Sequence, residues 1–221
     1  MWAKRSWLLP PFLALPVLLT LFTTRLTASA DGATHLMRTA LLVNHWQNSV
    51  LYPRWIPELV TGLGYPLLNF YAPSAYYLTG AIQLTGATLS AATLLTFAFF
   101  IVAGGLGMVC WARDLFDADR PWPALLAGVA YMYAPYLLAN VFVRGAIAEV
   151  GAQALLPWIL WSGRRLITRQ RALIWLAPFA LTLGALAVTH TVTLIIFPPF
   201  LLGYLVALWW QRGHQWPQLG W

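Results

Sequence analysis

The chain has 221 residues, of which 60% are hydrophobic and 9% charged, and its mean hydropathy is +0.68. An ordinary soluble domain has about a quarter of its residues charged, so this composition excludes that class. Apolar runs of roughly 20 residues, long enough to cross a bilayer, recur along the chain and predict a multipass membrane protein. The basic residues that give the net charge of +7 are scattered between these runs, which indicates a role in membrane orientation and not in nucleic-acid binding.

The N-terminal segment fits two interpretations. Residues 1–30 have a basic start, an apolar centre and an Ala28-Ser29-Ala30 ending, which is the arrangement of a secretory signal peptide. Cleavage there would make Asp31 the first residue of the mature protein. Because the apolar centre is long for a signal peptide and further apolar runs follow, we favour an uncleaved first span.

Six stretches are predicted to cross the membrane: 7–24, 89–112, 122–141, 148–163, 172–188 and 191–210. The stretch 70–86 is apolar but short, and it contains a proline, two glycines and a tandem pair of tyrosines. It could therefore be a further span or a helix that lies along the membrane interface.

The distribution of basic residues decides between these alternatives. If the stretch is interfacial and the N-terminus lies inside, 9 of the 13 basic residues are cytoplasmic, whereas only 3 of the 13 are if the stretch crosses. The positive-inside rule prefers the first arrangement. The sequence therefore predicts an all-α polytopic bundle of six spans, with both termini cytoplasmic. Residues 1–221 would form a single transmembrane domain, and residues 25–88 a first external loop with interfacial helices.

This topology divides the six acidic residues of the chain between the two sides. Three of them lie with basic residues in a cytoplasmic turn, RDLFDADRP (residues 113–121), which is an ordinary connection between spans. The external acids are Asp31, Glu58 and Glu149. A carboxylate at the edge of a bilayer is costly unless the protein needs it there, so these residues are candidates for function.

Residues 31–48 are predicted to form an amphipathic helix directly after the first span. Asp31, His35, Arg38, Leu42 and His45 follow one another at spacings of four and three residues, which places them on one stripe. This stripe could face a polar cavity. Alternatively, the helix could rest on lipid headgroups with its polar side in water.

Two further external regions carry candidate residues. The segment 50–77 is dense in proline, glycine and aromatic residues, although an aromatic belt is the commoner use of such residues. Six of its aromatic residues could stack on a sugar or an isoprenoid: Tyr52, Trp55, Tyr65, Tyr71, Tyr76 and Tyr77. Glu149 begins an apolar segment, which disfavours its charged form unless Arg144 or a cation compensates. An Arg144–Glu149 structural pair and a role in a site are equally open. His190 lies near a predicted helix junction, where a packing role is the commoner one.

Taken in order, these residues resemble the GT-C superfamily of membrane glycosyltransferases, which use polyprenyl-phosphate sugars as donors. The most similar family is the bacterial multipass membrane family labelled 6-pyruvoyl-tetrahydropterin synthase-related, over about residues 10–205; nothing in the chain indicates pterin chemistry. The residues that carry the resemblance are Asp31 with His35 and Arg38, Tyr52-Pro53-Arg54-Trp55, Gly64-Tyr65-Pro66, Phe70-Tyr71-Ala72-Pro73, Arg113-Asp114-Leu115-Phe116, Arg144 with Glu149, and Thr189-His190.

The resemblance implies a function for these positions. Asp31 would be the catalytic base, and Glu149 the second acid, which assists the acceptor or a divalent cation (Mg or Mn). The substrate-binding residues would be His35, Arg38, Arg144, His190, Tyr52 and Tyr71. The partners would be the lipid bilayer and a polyprenyl-phosphate sugar, with no nucleic acid, and the site would face outward from the bacterial inner membrane.

The chain departs from the family pattern in two respects. Many relatives have paired acids in the first loop, whereas Gly32 follows Asp31 here, and the relatives are longer, so this chain is expected to be the N-terminal part of a longer protein. The alternatives are a lipid-linked-sugar flippase and a non-catalytic, truncated membrane subunit. The predicted spans have few polar residues and no internal repeat, which argues against a transporter.

Overall fold

A computed structural model describes residues 9–23, 26–116, 121–169 and 172–215, and within these ranges the regular structure is helical, with no strand. The all-α prediction is confirmed. The basic start of the predicted signal peptide, residues 7, 8 and 24 of the first predicted span, and Asp117, Asp119 and Arg120 of the cytoplasmic turn lie outside the described residues.

The helices follow one another with short connections. In chain order they are α1 (Leu9–Leu13), α2 (Leu15–Phe22), α3 (Gly32–Gln47), α4 (Leu67–Phe70), α5 (Ser74–Leu84), α6 (Leu89–Leu115), α7 (Pro121–Met132), α8 (Pro135–Leu138), a π-helix (Ala139–Arg144), α9 (Ile147–Thr168), α10 (Leu176–Ala187) and α11 (Thr191–Gln215). Short 3₁₀ turns precede α3 and α10, at Leu26–Ala28 and Ala172–Trp175.

Three helical segments of the described chain are long and apolar enough to cross a membrane: Leu89–Leu115, Pro121–Arg144 and Thr191–Arg212. A further apolar segment, Leu173–Ala187, is shorter. The described part of the predicted span 7–24, residues 9–23, and the predicted span 148–163 do not reach this standard. Length and composition thus support three of the six predicted spans.

Prolines explain where the helices depart from the predicted spans. Pro16 lies in the first turn of α2, just after the break at Ala14. The first apolar run therefore forms two short helices. Ala134, the residue before Pro135, is extended (φ −58°, ψ 130°) and separates α7 from α8, because a residue preceding proline avoids the helical region.

The stretch 70–86 contains the 11-residue helix α5. At a rise of about 1.5 Å per residue it is about 16 Å long, roughly half the hydrocarbon core of a bilayer. It packs beside the first turns of α6, where Thr79 Oγ1 and Thr96 Oγ1 lie 3.0 Å apart. Helix α5 alone is too short to cross the bilayer. This agrees with the alternative in which the stretch 70–86 lies along the membrane interface.

The long helices alternate in direction. Helices α6 and α9 run parallel, because Gly104 packs against Ala154 and, further along both helices, Asp114 pairs with Arg165. Helix α7, which lies between α6 and α9 in the sequence, runs antiparallel to α6, and its Gly128 packs against Val109.

Helix α10 returns antiparallel to α9, since Ser162 near the end of α9 approaches Thr182, and Gly151 near its start meets Thr189 just after α10. Helix α11 then runs parallel to α9, with Leu205 against Gly163. One end of the bundle therefore contains the connections before α3, α9 and α11, and we call it the Asp31 end. The other end contains Asp114.

At the Asp114 end, an ion pair joins α6 to α9. Arg165 donates to both carboxylate oxygens of Asp114, at 2.6 and 3.0 Å, and Arg169 lies 3.4 Å from the same carboxylate. The Arg165 guanidinium also lies over the rings of Trp161 and Trp175, 4.6 Å from each centroid. This geometry fixes the register of the two helices.

Replacing Asp114 by alanine is expected to lower the free energy of unfolding by about 2 kcal/mol, because a charge-assisted bidentate pair with a largely buried carboxylate is lost. Denaturant titration in mixed micelles measures the loss. Arg164→Ala is the matched control, since Arg164 makes no ion pair with a described residue. Equal stability of the two variants would contradict this role for Asp114.

Candidate functional site

Main-chain hydrogen bonds join the segment that bears Asp31 to the segment that bears Arg144. The Asp31 N–H donates to the Arg144 carbonyl at 2.7 Å, and the Ala30 N–H donates to the Val143 carbonyl at 3.1 Å. Gly145 permits this approach: its φ is +67°, and a Cβ there would lie 2.4 Å from Ser29 Oγ. The structure thus brings two regions together that are more than 100 residues apart in the sequence.

A polar cluster surrounds Glu149 beside this junction. Arg144 Nη1 donates to Glu149 Oε2 at 2.6 Å and to Asn140 Oδ1 at 2.7 Å, and the Tyr136 hydroxyl donates to Glu149 Oε1. The π-helix ends at Arg144, and Ala146 N–H returns to the Asn140 carbonyl at 2.9 Å. We call Tyr136, Asn140, Arg144 and Glu149 the Glu149 cluster. Arg144 thus compensates the negative charge of Glu149, which was one of the two ways that the sequence analysis gave for keeping Glu149 ionised.

The Glu149 cluster opens into a cavity of about 660 Å³, which we call the main cavity. It lies between α7 and α8 on one side and α9 and α11 on the other. Its lining combines a few polar side chains with long apolar walls: Tyr136, Arg144, Glu149, Gln153 and His190 with Leu156, Ile196, Phe197 and Phe200. A charged end on an apolar cavity suits an amphipathic ligand.

His190 lies at the same end of the main cavity and caps α11. Its Nδ1 accepts a hydrogen bond from the Thr193 N–H at 3.3 Å and lies 2.8 Å from Thr193 Oγ1. Burial lowers the pKa of His190, although the charge of Glu149 opposes this shift. A neutral His190 with an accepting Nδ1 has its hydrogen on Nε2 and can donate from there.

Between His190 and the first loop lies a smaller cavity of about 120 Å³, lined in part by Phe70, Tyr71 and His190. Two of the predicted substrate-binding residues, Tyr71 and His190, therefore share one pocket wall. This places the first loop beside the main cavity.

A second polar cluster holds α3 against α5. His35 Nδ1 lies 2.8 Å from the Tyr76 hydroxyl, Arg38 Nη1 donates to the same hydroxyl oxygen at 3.2 Å, and the Arg38 guanidinium lies 4.4 Å from the centre of the Tyr71 ring. A neutral His35 whose Nδ1 carries no hydrogen accepts from the Tyr76 O–H, while the Tyr76 oxygen accepts from Arg38. Burial, with the charge of Arg38, lowers the pKa of His35 to about 4. We call these four residues the His35 cluster.

The predicted helix over 31–48 is present as α3, but its stripe faces the protein. His35 is 5% exposed and Leu42 1%, whereas Met37, predicted on the apolar side, is 47% exposed. The alternative of a polar side in water is therefore wrong for His35. Tyr76 supplies the partner that makes burial of the imidazole favourable.

Asp31 precedes the first turn of α3, and its carboxylate makes no hydrogen bond or ion pair with a described residue. It lines neither cavity described so far. Tyr52 also lies apart from them and donates its hydroxyl to the Leu68 carbonyl at 2.6 Å. The predicted roles of Asp31 and Tyr52 stay predictions.

Three residues of these sites were missed by the sequence analysis, namely Tyr136, Asn140 and Gln153, and so was the contact of Tyr76 with His35. Asn140 stands four residues before Arg144, so helical spacing could have identified it. Tyr76 meets His35 across 41 residues of chain, and no local pattern indicates that contact.

The pKa of His35 predicts that the protein loses stability in mild acid. The unfolded chain takes up a proton near the ordinary histidine pKa of 6.5, whereas the folded protein does so only at about 4. Between these values the unfolded state binds more protons, so the free energy of unfolding falls as pH drops, by up to about 3 kcal/mol.

Denaturant titration of wild type and His35→Gln between pH 7 and pH 4.5 measures this loss. We expect the free energy of unfolding to fall more in wild type than in the variant as the pH drops. The other titrating groups are common to both proteins, so their contributions to the pH dependence cancel in the difference. An identical pH dependence of the two proteins would contradict a buried, neutral His35.

The family model for the 6-pyruvoyl-tetrahydropterin synthase related domain, described as a membrane protein, matches residues 68–218, which is more than half of the chain. No curated protein and no solved structure matches the chain. The matched region includes the Glu149 cluster, the main cavity and all three segments that are long enough to cross a membrane. The resemblance to this one family is confirmed over residues 68–218, and the chain belongs to the membrane protein family named 6-pyruvoyl-tetrahydropterin synthase related.

Proposed function

We propose that the protein is a membrane glycosyltransferase that transfers a sugar from a polyprenyl-phosphate donor to an acceptor hydroxyl. The main cavity supports this proposal best, because it places a cation, a carboxylate and a histidine at one end of long apolar walls. A lipid phosphate has the matching chemistry, an anionic head on an apolar chain. The resemblance to the GT-C superfamily adds the reaction class.

Arg144 is the proposed phosphate ligand. Its Nη1 is engaged by Glu149 and Asn140, while its Nε and Nη2 make no hydrogen bond with a described residue. These groups can donate to a phosphate oxygen in charge-assisted bonds. Glu149 and Asn140 orient the guanidinium, and His190 Nε2 supplies a second donor at the same end of the cavity.

Asp31 is the proposed base. In this reaction the acceptor O–H gives its proton to the carboxylate, its oxygen bonds to the anomeric carbon, and the bond from that carbon to the phosphate oxygen breaks with both electrons going to the phosphate. The phosphate is a good leaving group and needs no general acid, so one base suffices. Asp31 is suited to this role because no described cation holds its carboxylate, whereas Glu149 is held by Arg144.

His35 and Arg38 act as positioning residues in this proposal. Both are bound to Tyr76, and His35 is buried, so they fix α3 and thereby Asp31. Tyr71 joins the His35 cluster to the pocket beside His190. Tyr52 remains a candidate for contact with the sugar or the lipid.

The described residues do not by themselves supply a full set of ligands for a divalent cation. No group of three or more histidine, cysteine, aspartate or glutamate side chains comes together in the part of the chain that the structure describes. Glu149 already has two hydrogen-bond donors. Mg²⁺ bound at Asp31 or Glu149 would thus need most of its ligands from elsewhere, and the proposed steps use no cation.

The proposal includes six spans, both termini in the cytoplasm and a first external loop at 25–88, in the bacterial inner membrane. The alternating directions of α6, α7, α9, α10 and α11 support it. In this orientation the Asp31 end faces outward.

Reconstitution into liposomes with a radiolabelled polyprenyl-phosphate hexose tests the function. We expect the label to leave the lipid phosphate and to appear on an added acceptor extract. Movement of the intact donor across the bilayer would instead show a flippase. Absence of both transfer and movement, with correctly folded protein, would favour a non-catalytic subunit.

A further inference from the structure

A second membrane cavity lies on another face of α9. Its volume is about 530 Å³, and α5, α6, α9 and α10 all contribute to its walls. On α9 the main cavity uses Glu149, Gln153 and Leu156, whereas this second cavity uses Gly151, Ala154, Leu155 and Trp158. The size is within the range of about 300–1,000 Å³ typical of ligand sites.

The second cavity carries no charge. Its described lining is aliphatic and aromatic except for two hydroxyls, those of Ser74 and Thr189. Gly151 keeps the space near these hydroxyls open, because a Cβ there would lie 2.9 Å from Phe100 Cζ and 3.0 Å from Thr189 Cγ2. An anionic headgroup would lose its hydration here without a compensating cation.

The hydrogen bonds of the two hydroxyls fix which atom can bind a ligand. Thr189 Oγ1 donates its hydrogen to the Ala185 carbonyl at 2.6 Å, so Ser74 Oγ is the donor in the 2.7 Å contact between Ser74 and Thr189. The Ser74 oxygen then has lone pairs and no donor among the described residues. The Ser74 oxygen is therefore free to accept a hydrogen bond from a ligand, and the ligand group that matches it is an uncharged O–H.

We propose that the second cavity binds a neutral long-chain alcohol, with its chain along Phe99, Leu106 and Trp158 and its hydroxyl at Ser74. A lipid phosphate fits the main cavity, where Arg144 lies, and not this one. Binding of this alcohol does not depend on the proposed function, because the second cavity contains none of the residues assigned to sugar transfer.

The test uses the full chain in detergent and a long-chain alcohol that carries a diazirine, with the corresponding alkyl phosphate as the comparison probe. After irradiation, peptide mapping locates the label. We expect the alcohol to label 99–106 and 185–189, and the phosphate to label the main cavity. Ser74→Ala should reduce labelling by the alcohol about three- to tenfold, the value of one hydrogen bond.

Filling the cavity provides a second measurement. Ala185→Trp and, from another helix, Leu78→Trp should each reduce labelling by the alcohol at least tenfold. Leu181→Trp on α10 is the control, since Leu181 is 73% exposed and lines neither cavity. Competition with an unlabelled isoprenoid alcohol or with diacylglycerol identifies the source of the hydroxyl, and displacement by either supports the site.

Equal labelling of 99–106 and 185–189 by alcohol and phosphate would overturn the proposal, as would labelling that Ala185→Trp and Leu78→Trp leave unchanged or that neither competitor displaces. The proposed function fails separately: absence of sugar transfer with intact labelling by the alcohol would reject the enzyme and retain the lipid site.

Discussion

Replacing Asp31 by asparagine is expected to slow sugar transfer by about two to four orders of magnitude, the usual contribution of a general base. Asparagine keeps the shape of the side chain and suits the residue before the first turn of a helix, so α3 and its contacts should persist. Donor binding should remain almost unchanged, because the phosphate is assigned to Arg144. Initial rates and retention of labelled donor, measured on the same proteoliposomes, separate the two effects.

Glu58→Gln is the matched control for Asp31→Asn. Glu58 is the other acid of the predicted first external loop, it is exposed, and it lines neither membrane cavity. Its replacement should leave the rate within about twofold of wild type, as is usual for a surface change. Full activity of Asp31→Asn would show that another group takes the acceptor proton.

The positions of the long helices were largely predictable from the sequence. The predicted spans 89–112 and 191–210 correspond to α6 and α11, which begin at the predicted residues and run three to five residues further. Such runs are uniformly apolar, and in a bilayer a helix is the only way to satisfy their backbone groups. Hydropathy does not show where a run breaks, as at Ala14 and Ala134, because the break depends on local backbone geometry beside proline.

The site was predictable only in its local parts. The spacing of Asp31, His35 and Arg38 identified one helical stripe, and the short interval from Arg144 to Glu149 offered the ion pair as one of two open interpretations. Which way the stripe faces depends on Tyr76, a residue from another helix. The main cavity and the second cavity depend on the same kind of tertiary contact, since each of these two has walls from at least three helices.

The Arg144–Glu149 pair gives the second large effect. Replacing Arg144 by alanine is expected to weaken donor binding about 100-fold, because the proposed phosphate ligand is removed from a partly desolvated site. The variant should also unfold more easily, by about 2 kcal/mol, since Glu149, whose side chain is 14% exposed, keeps the Tyr136 hydrogen bond but loses its cation. Donor titration and denaturant titration measure the two losses.

Glu149→Gln and the double variant separate a binding role from a structural one. Glutamine leaves no uncompensated carboxylate, so adding Glu149→Gln to Arg144→Ala should restore most of the lost stability. Donor binding should not recover, because the guanidinium is still absent. Arg144→Lys should bind donor more weakly than wild type, since an ammonium keeps the charge but cannot hold Glu149, Asn140 and a phosphate through one planar fork. If the double variant regained donor binding together with stability, Arg144 would be a structural partner of Glu149 and the phosphate would bind elsewhere.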